Sequence, residues 1–329
     1  MCALKELLGN QDHIRHMKEA ERLGKLPHAY IIHGAKGSGK ETFASYMAAA
    51  LLCDREIQSA PCGVCPSCVK AATHNHPDII RTYHEKPGVL SVQEIRDQVI
   101  NTIYTAPYYG PYKIYIISDA QLLNEHGQNA LLKTIEEPPE YVLIFILTDN
   151  ADALLDTIRS RCIRLDMESL DRETIEKELI ASGCAKGEAK TFAAFARGNL
   201  GIAKELAEGG SLREMKDETV KILKAIKKLD ALELFQASAE TDRESGKVVL
   251  DIILKWFRDV LMIKAGSGAE PLYFENDKAV LKRQAGELSY EGLGRIMDLI
   301  RESRLRLSSG VKAEAVFETL YLKIREEYK

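Results

Sequence analysis

Short apolar runs separated by amphipathic stretches fill the first half of the chain and are missing from the second. Runs of strand type fall at residues 29–33 (Ala-Tyr-Ile-Ile-His), 78–83, 113–118 and 141–148, with a shorter fifth at 163–165. Between them apolar positions recur at helical spacing, as in residues 40–52, where Phe43, Met47 and Leu51 share one face. Strands alternating with helices predict a parallel sheet covered by helices. After about Asp166 the strand signal stops. Residues 171–207 read as a few short helices, and from about Ser211 the chain reads as helical throughout, with amphipathic stretches at 249–264 and 313–327. Trp256, Phe257, Leu261 and Met262 lie at helical spacing there and are expected to pack inside a helical domain. Gly209 and Gly210 mark a joint between the two helical parts.

The first strand enters a glycine-rich turn. Gly34 to Glu41 read G-A-K-G-S-G-K-E, so that Gly34, Gly39 and Lys40 complete the G-x-x-x-x-G-K of a phosphate-binding loop, with Gly37 inside it. Strand, loop and helix follow in the order the motif needs. Glycines let backbone N–H groups converge on phosphate oxygens, and a helix N-terminus adds positive potential. The next position should carry a Ser or Thr hydroxyl for the Mg²⁺ of a bound nucleotide; here it is Glu41. A second acidic position is also altered. The strand over 113–118 ends in Asp119, where such proteins hold Mg²⁺, but the following residue, which in many of them positions the attacking water, is Ala120. Asp119 reads equally well as a cap for the segment after it.

Length and composition narrow the class. At 329 residues two or three domains are expected, and the apolar and charged fractions, 45% and 29%, are those of a soluble globular protein. No apolar run reaches membrane-spanning length and the N-terminal residues do not read as a signal peptide, so a cytoplasmic location and no membrane partner are expected. A formal charge of -4 argues against DNA binding through net charge alone and leaves a local basic face open. Seven cysteines without a secretion signal suggest thiols or metal ligands. Four of them, Cys53, Cys62, Cys65 and Cys68, form C-x8-C-x2-C-x2-C, with Gly63 and Pro66 supplying tight turns. Four thiolates complete a tetrahedral Zn²⁺ shell and leave no open position, so the site reads as structural zinc. The alternatives are an iron–sulfur ligand set, which lacks its usual fourth cysteine downstream, and free thiols. His74 and His76 are rival ligands or ordinary turn residues before Pro77.

Residues 119–123 (Asp-Ala-Gln-Leu-Leu), 128–139 (Gln-Asn-Ala-Leu-Leu-Lys-Thr-Ile-Glu-Glu-Pro-Pro) and 157–162 (Thr-Ile-Arg-Ser-Arg-Cys) resemble the clamp-loader branch of the AAA+ ATPases. The entry segment 26–30 and the cysteine insert after the loop fit as well. The resemblance covers about the first 165 residues and extends weakly to 311–324. It implies an AAA+ ATPase-like domain over 1–166 with a zinc-binding insert at 53–68, a small helical lid over 167–208 and an all-α collar over 209–329 that joins a hetero-pentameric ring. It implies as partners the ATPase subunits of gamma/tau type and a delta subunit, and through the complex the sliding clamp and primed DNA. In this family the arginine of the Ser160-Arg161-Cys162 motif reaches into a neighbour's ATP site, and that role is carried onto Arg161. From the residues alone, Arg161 pairing with a nearby carboxylate is the competing reading, and Arg159 is a decoy.

The lid segment that carries a nucleotide-contacting arginine in active members aligns with 198–203, where Gly201 takes its place. Glu41, Ala120 and Gly201 together argue that the chain does not hydrolyse ATP by itself, whereas Gly34, Gly37, Gly39 and Lys40 still suit an anion. The expectation is a non-hydrolysing subunit that supplies Arg161 in trans. An active gamma/tau-type ATPase is one alternative. Another is a DNA-binding zinc module on an inactive P-loop scaffold, against which stand the few basic residues of the cysteine segment. Lys133 is a candidate for polar contact within the ring.

Overall fold

The computed structural model describes residues 7–83, 90–239, 241–266 and 272–328. The chain divides into two compact units, one of Met1–Leu170 with Asn199–Gly201, the other of Asp171–Gly198 with Ile202–Lys329. The first is the α/β unit foreseen from the alternating pattern. Its strands β1 (Ala29–His33), β2 (Ile79–Arg81), β3 (Lys113–Ile117), β4 (Val142–Thr148) and β5 (Ile163–Asp166) form one sheet in the order β2-β3-β4-β1-β5. Every pairing is parallel, with Ile31 beside Ile146 of β4 and Arg164 of β5, and Tyr115 beside Ile144. Only the strand over 78–83 is notably shorter than its apolar run: beyond Arg81 the Ser118 N–H donates to the Thr82 hydroxyl (3.1 Å) and the Tyr83 N–H to the Gln98 side chain (2.9 Å), so the backbone ladder ends.

Alternation of side chains along the strands builds two separate cores. One face carries Ile31, Tyr115, Ile117, Ile144 and Ile146 under α4 (Val92–Ile95, continued as a π-type turn over Arg96–Ile100), α5 (Glu125–Glu136) and α6 (Asp156–Arg159). The other carries Tyr30, Ile32, Ile114, Ile116, Phe145 and Leu147 under α1 (Gln11–Arg22) and α2 (Lys40–Leu51). In α2, Phe43, Met47 and Leu51 are buried as their spacing requires. The remaining helix of this unit, α3 (Pro66–Ala72), starts with Pro66 at its first turn, where a missing N–H costs nothing.

The second unit is helical among its described residues: α7 (Arg172–Ala181), α8 (Lys186–Ala196), α9 (Leu200–Glu208), α10 (Ser211–Ala225), α11 (Ala231–Ala239), α12 (Arg243–Lys264), α13 (Lys278–Glu287), α14 (Tyr290–Ser308) and α15 (Ala313–Glu326). Helix α12 packs against α10, α13 and α14. Trp256 and Phe257 are wholly buried on it, whereas Leu261 and Met262 are half-buried. The indole of Trp256 donates to Gln284 Oε1 at 2.8 Å, and the Gln284 amide donates to Leu223 O at 2.8 Å, so these two buried polar side chains are paired. No helix among the described residues is long and apolar enough to cross a membrane.

Two buried charges hold the segment before β3. The carboxylate of Asp78, 1% exposed, accepts the N–H groups of Tyr108 (2.6 Å) and Tyr109 (2.8 Å). Lys113 donates to the carbonyls of Thr102 and Thr105. These bonds fix a loop whose Tyr104, Tyr108 and Tyr109 rings face solvent. Substituting Asp78→Ala strands two backbone donors, and hydrogen bonds to a charged group contribute about 1.5–3 kcal/mol each. The expected outcome is faster amide exchange at Tyr108 and Tyr109 and a lower urea midpoint; unchanged exchange would show that the carboxylate does not hold the loop.

Candidate functional site: a phosphate loop and an outward arginine

Because β1 lies between β4 and β5, the turn after it rises from inside the sheet, one strand in from the β5 edge, at the carboxyl ends of the strands, where parallel sheets place their sites. Gly34 donates its N–H to Thr148 O (3.1 Å), and Met167 N–H donates to His33 O (2.8 Å), which clamps the loop's base from both neighbouring strands. Gly37 and Gly39 have φ of 81° and 90°, a region side chains rarely adopt. Gly34 is required for a different reason, since a Cβ there would stand 2.6 Å from Ser38 Oγ and 2.9 Å from Met167 Cβ.

The loop's carbonyls are satisfied from within the unit. Lys40 Nζ donates to Gly34 O (2.6 Å) and Ala35 O (3.0 Å). Asn199 donates its amide to Lys36 O (2.7 Å), and Gly201 N–H donates to Gly37 O (3.1 Å). A Cβ on Gly201 would meet Gly37 Cα and O at 2.6 Å, so this approach admits glycine alone. Burial lowers the Lys40 ammonium's pKa, opposed by the nearby carboxylates of Asp149, Asp119 and Glu41.

Glu41 is held by a residue that the sequence reading missed. Its Oε1 accepts from Arg81 Nη1 at 2.5 Å and its Oε2 from Ser118 Oγ at 2.9 Å. Arg81 also donates to Ser45 Oγ (2.9 Å), which in turn donates to Glu41 O (2.6 Å). The available signal was Arg81's position: a lone cation ending the apolar run Ile79-Ile80, at the strand edge where sites form. Asp119 takes left-handed backbone (φ 53°) and makes no side-chain capping bond to the short 3-10 turn after it, and Ala120 is buried in the core.

The four sequence-assigned cysteines converge. The Sγ atoms of Cys53, Cys62, Cys65 and Cys68 all lie within 4.8 Å of one another, close to the ~3.8 Å edge of a tetrahedral zinc–thiolate shell. Backbone N–H groups of Cys65 and Cys68 point at the sulfurs of Cys62 (3.3 Å) and Cys65 (3.4 Å), which stabilises thiolate charge. The N–H groups of Val64 and Cys65 bring the Cys62 thiol down to about 6, whereas burial pushes Cys68 up. The donor set fits a structural metal. His76 is not among these ligands: its ring bonds Ser67 Oγ and the Asp78 N–H, and burial lowers its pKa. His74 sits in a left-handed turn (φ 57°) and likewise lies outside the group.

Ser160, Arg161 and Cys162 precede β5, so they lie at the opposite edge of the sheet from the loop after β1, separated by roughly 15 Å of strand. Arg161 Nε pairs with Glu136 at 2.9 Å, and its Nη1 donates to Thr157 O and Ser160 Oγ. Both partners of that pair are solvent-facing, Arg161 at 41% and Glu136 at 44%. Arg159 is committed to Asp152 and Asp156. Cys162 belongs to the sheet's core, where burial pushes its thiol up to about 12. Lys133 is exposed on α5.

The sheet order, the clamped phosphate loop and the cysteine insert define a P-loop module of the AAA+ kind. A sequence family described as "DNA polymerase III, delta subunit" matches residues 9–171. The Bacillus subtilis DNA polymerase III subunit delta' is 28% identical over 311 residues, covering 92% of each chain. The Escherichia coli DNA polymerase III subunit tau is 34% identical over 174 residues, 53% of this chain; the match spans 27% of that relative's length. Among solved structures, a gamma subunit-related protein of Thermotoga maritima aligns over 96% of this chain and 99% of its own at a TM-score of 0.45 and 16% identity. The chain is thus similar to the DNA polymerase III delta-subunit family over residues 9–171 and to a delta' subunit over nearly its whole length.

Placing Cys162 in the core gives a test that separates packing from chemistry. Cys162→Ser buries a hydroxyl among Ile31, Ile146 and Ile158 and is expected to cost about 1–3 kcal/mol in thermal or urea unfolding. Cys162→Ala is expected to lose less. Equal losses would show that the site tolerates a polar group and that its apolar character is not what the residue supplies.

Proposed function

We propose that this chain is a non-hydrolysing subunit of the clamp loader that places sliding clamps on primed DNA during replication. In this reading its partners are gamma/tau-type ATPase subunits and a delta subunit, and the chain after β5 comprises a lid over 167–208 and a ring-forming collar over 209–329. The observation that carries the reading is the position of Arg161. It stands exposed at the edge of the sheet away from its own phosphate loop, where it cannot serve that loop.

In an assembled ring such an arginine meets a neighbour's nucleotide. Its planar guanidinium can present two donors to the charge that develops on a transferring phosphoryl group. Arginines in this role contribute roughly 10³–10⁵ in rate in GTPases. The cost of freeing it is small, because exposed ion pairs such as Arg161–Glu136 are worth about 0–1 kcal/mol. Ser160 accepts from Arg161 Nη1 and steadies it, while Cys162 anchors the turn in the core.

Zinc held by Cys53, Cys62, Cys65 and Cys68 serves here as a staple for the insert, with no open position for a substrate. The chain's own loop, with Ala120 in place of a water-positioning carboxylate, leaves hydrolysis to neighbouring subunits.

Two outcomes are expected. Arg161→Ala lowers the ATP turnover of the reconstituted complex several-fold while gel filtration shows assembly intact; unchanged turnover refutes the finger. Elemental analysis of the purified chain finds about one zinc ion, lost in Cys65→Ser together with thermal stability. Absence of zinc from the wild-type chain sinks the staple.

A further inference from the structure

A P-loop that handles nucleotide holds magnesium between the hydroxyl that follows its lysine and a carboxylate at a neighbouring strand end. In this chain the strand-end carboxylate, Asp119, is kept, but the hydroxyl is replaced by Glu41. We propose that the Glu41–Arg81 ion pair is a built-in substitute for the divalent cation, which keeps the magnesium–nucleotide complex out of the loop. The inference rests on the reading of the chain as a non-hydrolysing subunit and assigns a cause to it.

The pair is part of a closed set of donors and acceptors drawn from three elements. Glu41 lies in the first turn of α2, Arg81 ends β2 and Ser118 follows β3. Both carboxylate oxygens of Glu41 are taken, one by Arg81 and the other by Ser118. The second guanidinium nitrogen is taken by Ser45 Oγ, one turn along α2. Arg81 is the more buried partner, with 20% of its side chain exposed against 50% for Glu41. This pair is therefore less solvent-screened than Arg161–Glu136 and harder to break.

Magnesium demands near-octahedral oxygen ligands and keeps several waters. To ligate it, Glu41 would have to surrender Arg81, and the released guanidinium, a fixed cation, would face a dication. Like charges at such range repel, so the metal is disfavoured twice. The residues present therefore do not fit the metal that the loop's ancestry implies. The anion-holding parts stay in place: Lys40, the left-handed Gly37 and Gly39, and the start of α2. Any phosphate the loop takes is taken as the free anion.

Calorimetric titration of the full chain with ATP, in excess magnesium and again in EDTA, tests this, with inorganic pyrophosphate as a second probe. For the wild-type chain, magnesium is expected to leave the affinity unchanged within about threefold, or to produce no saturable binding. The double substitution Glu41→Thr with Arg81→Ala restores the hydroxyl and removes the fixed cation. It is expected to bind ATP at least about tenfold tighter with magnesium than the wild type does, without gaining hydrolysis, because Ala120 remains. Magnesium tightening the wild-type complex, or a folded double variant no tighter than wild type, overturns the proposal. Should the double variant fail to melt cooperatively, Arg81→Gln alone is expected to bring out magnesium dependence, and its failure to do so counts against the pair. The outcome is independent of the Arg161→Ala result: loss of the finger effect beside metal-indifferent wild type would refute the trans role and leave this inference standing.

Discussion

The place of β1 between β4 and β5 is the constraint on which the rest of this site depends. All five strands run parallel, so their carboxyl ends share one edge and their amino ends the other. The loop after β1 must rise at the first edge, bracketed by Thr148 and Met167, and the turn before β5 must carry Arg161 to the second. One sheet thus separates, by the length of its strands, a group that could receive a nucleotide from a group that could act on one. Neither can complete the other within a single chain; in the proposed ring, opposite edges of neighbouring chains would meet.

The two edges also differ in how their arginines are held. Arg161 meets Glu136 at the surface with both partners well exposed, so the pair is screened and cheap to exchange for a phosphate oxygen. Arg81 is more buried and answers two acceptors on α2, Glu41 and Ser45. One guanidinium is parked and the other is built in. Depth, not residue type, separates the two arginines.

Much of this was legible in the residues. The alternation of apolar runs and amphipathic stretches predicted every strand, because period-two burial on both faces of a parallel sheet leaves near-continuous apolar segments such as that over 142–148. The cysteines were legible because their ligand spacing is short-range: three of the four lie within seven residues. Glu41, Ala120 and Gly201 stood out as departures from a pattern. What stayed hidden was long-range pairing. Arg81 is forty residues from Glu41, and the contact exists only because β2 ends and α2 begins at the same edge of the sheet. The same holds for Glu136 and Arg161, joined by the approach of α5 and α6, and for Asp78, whose role in gathering Tyr108 and Tyr109 no local pattern announces. Gly201 was read as a lost arginine; its close approach to Gly37 adds a steric reason for glycine that the sequence did not contain.

The most direct measurement is a structure of the assembled clamp loader with a non-hydrolysable ATP analogue in the neighbouring subunit. The account predicts that the Arg161 guanidinium has left Glu136 and lies within hydrogen-bonding distance of the γ-phosphate. An Arg161 still paired with Glu136, with the neighbour's γ-phosphate served by another residue, would contradict it.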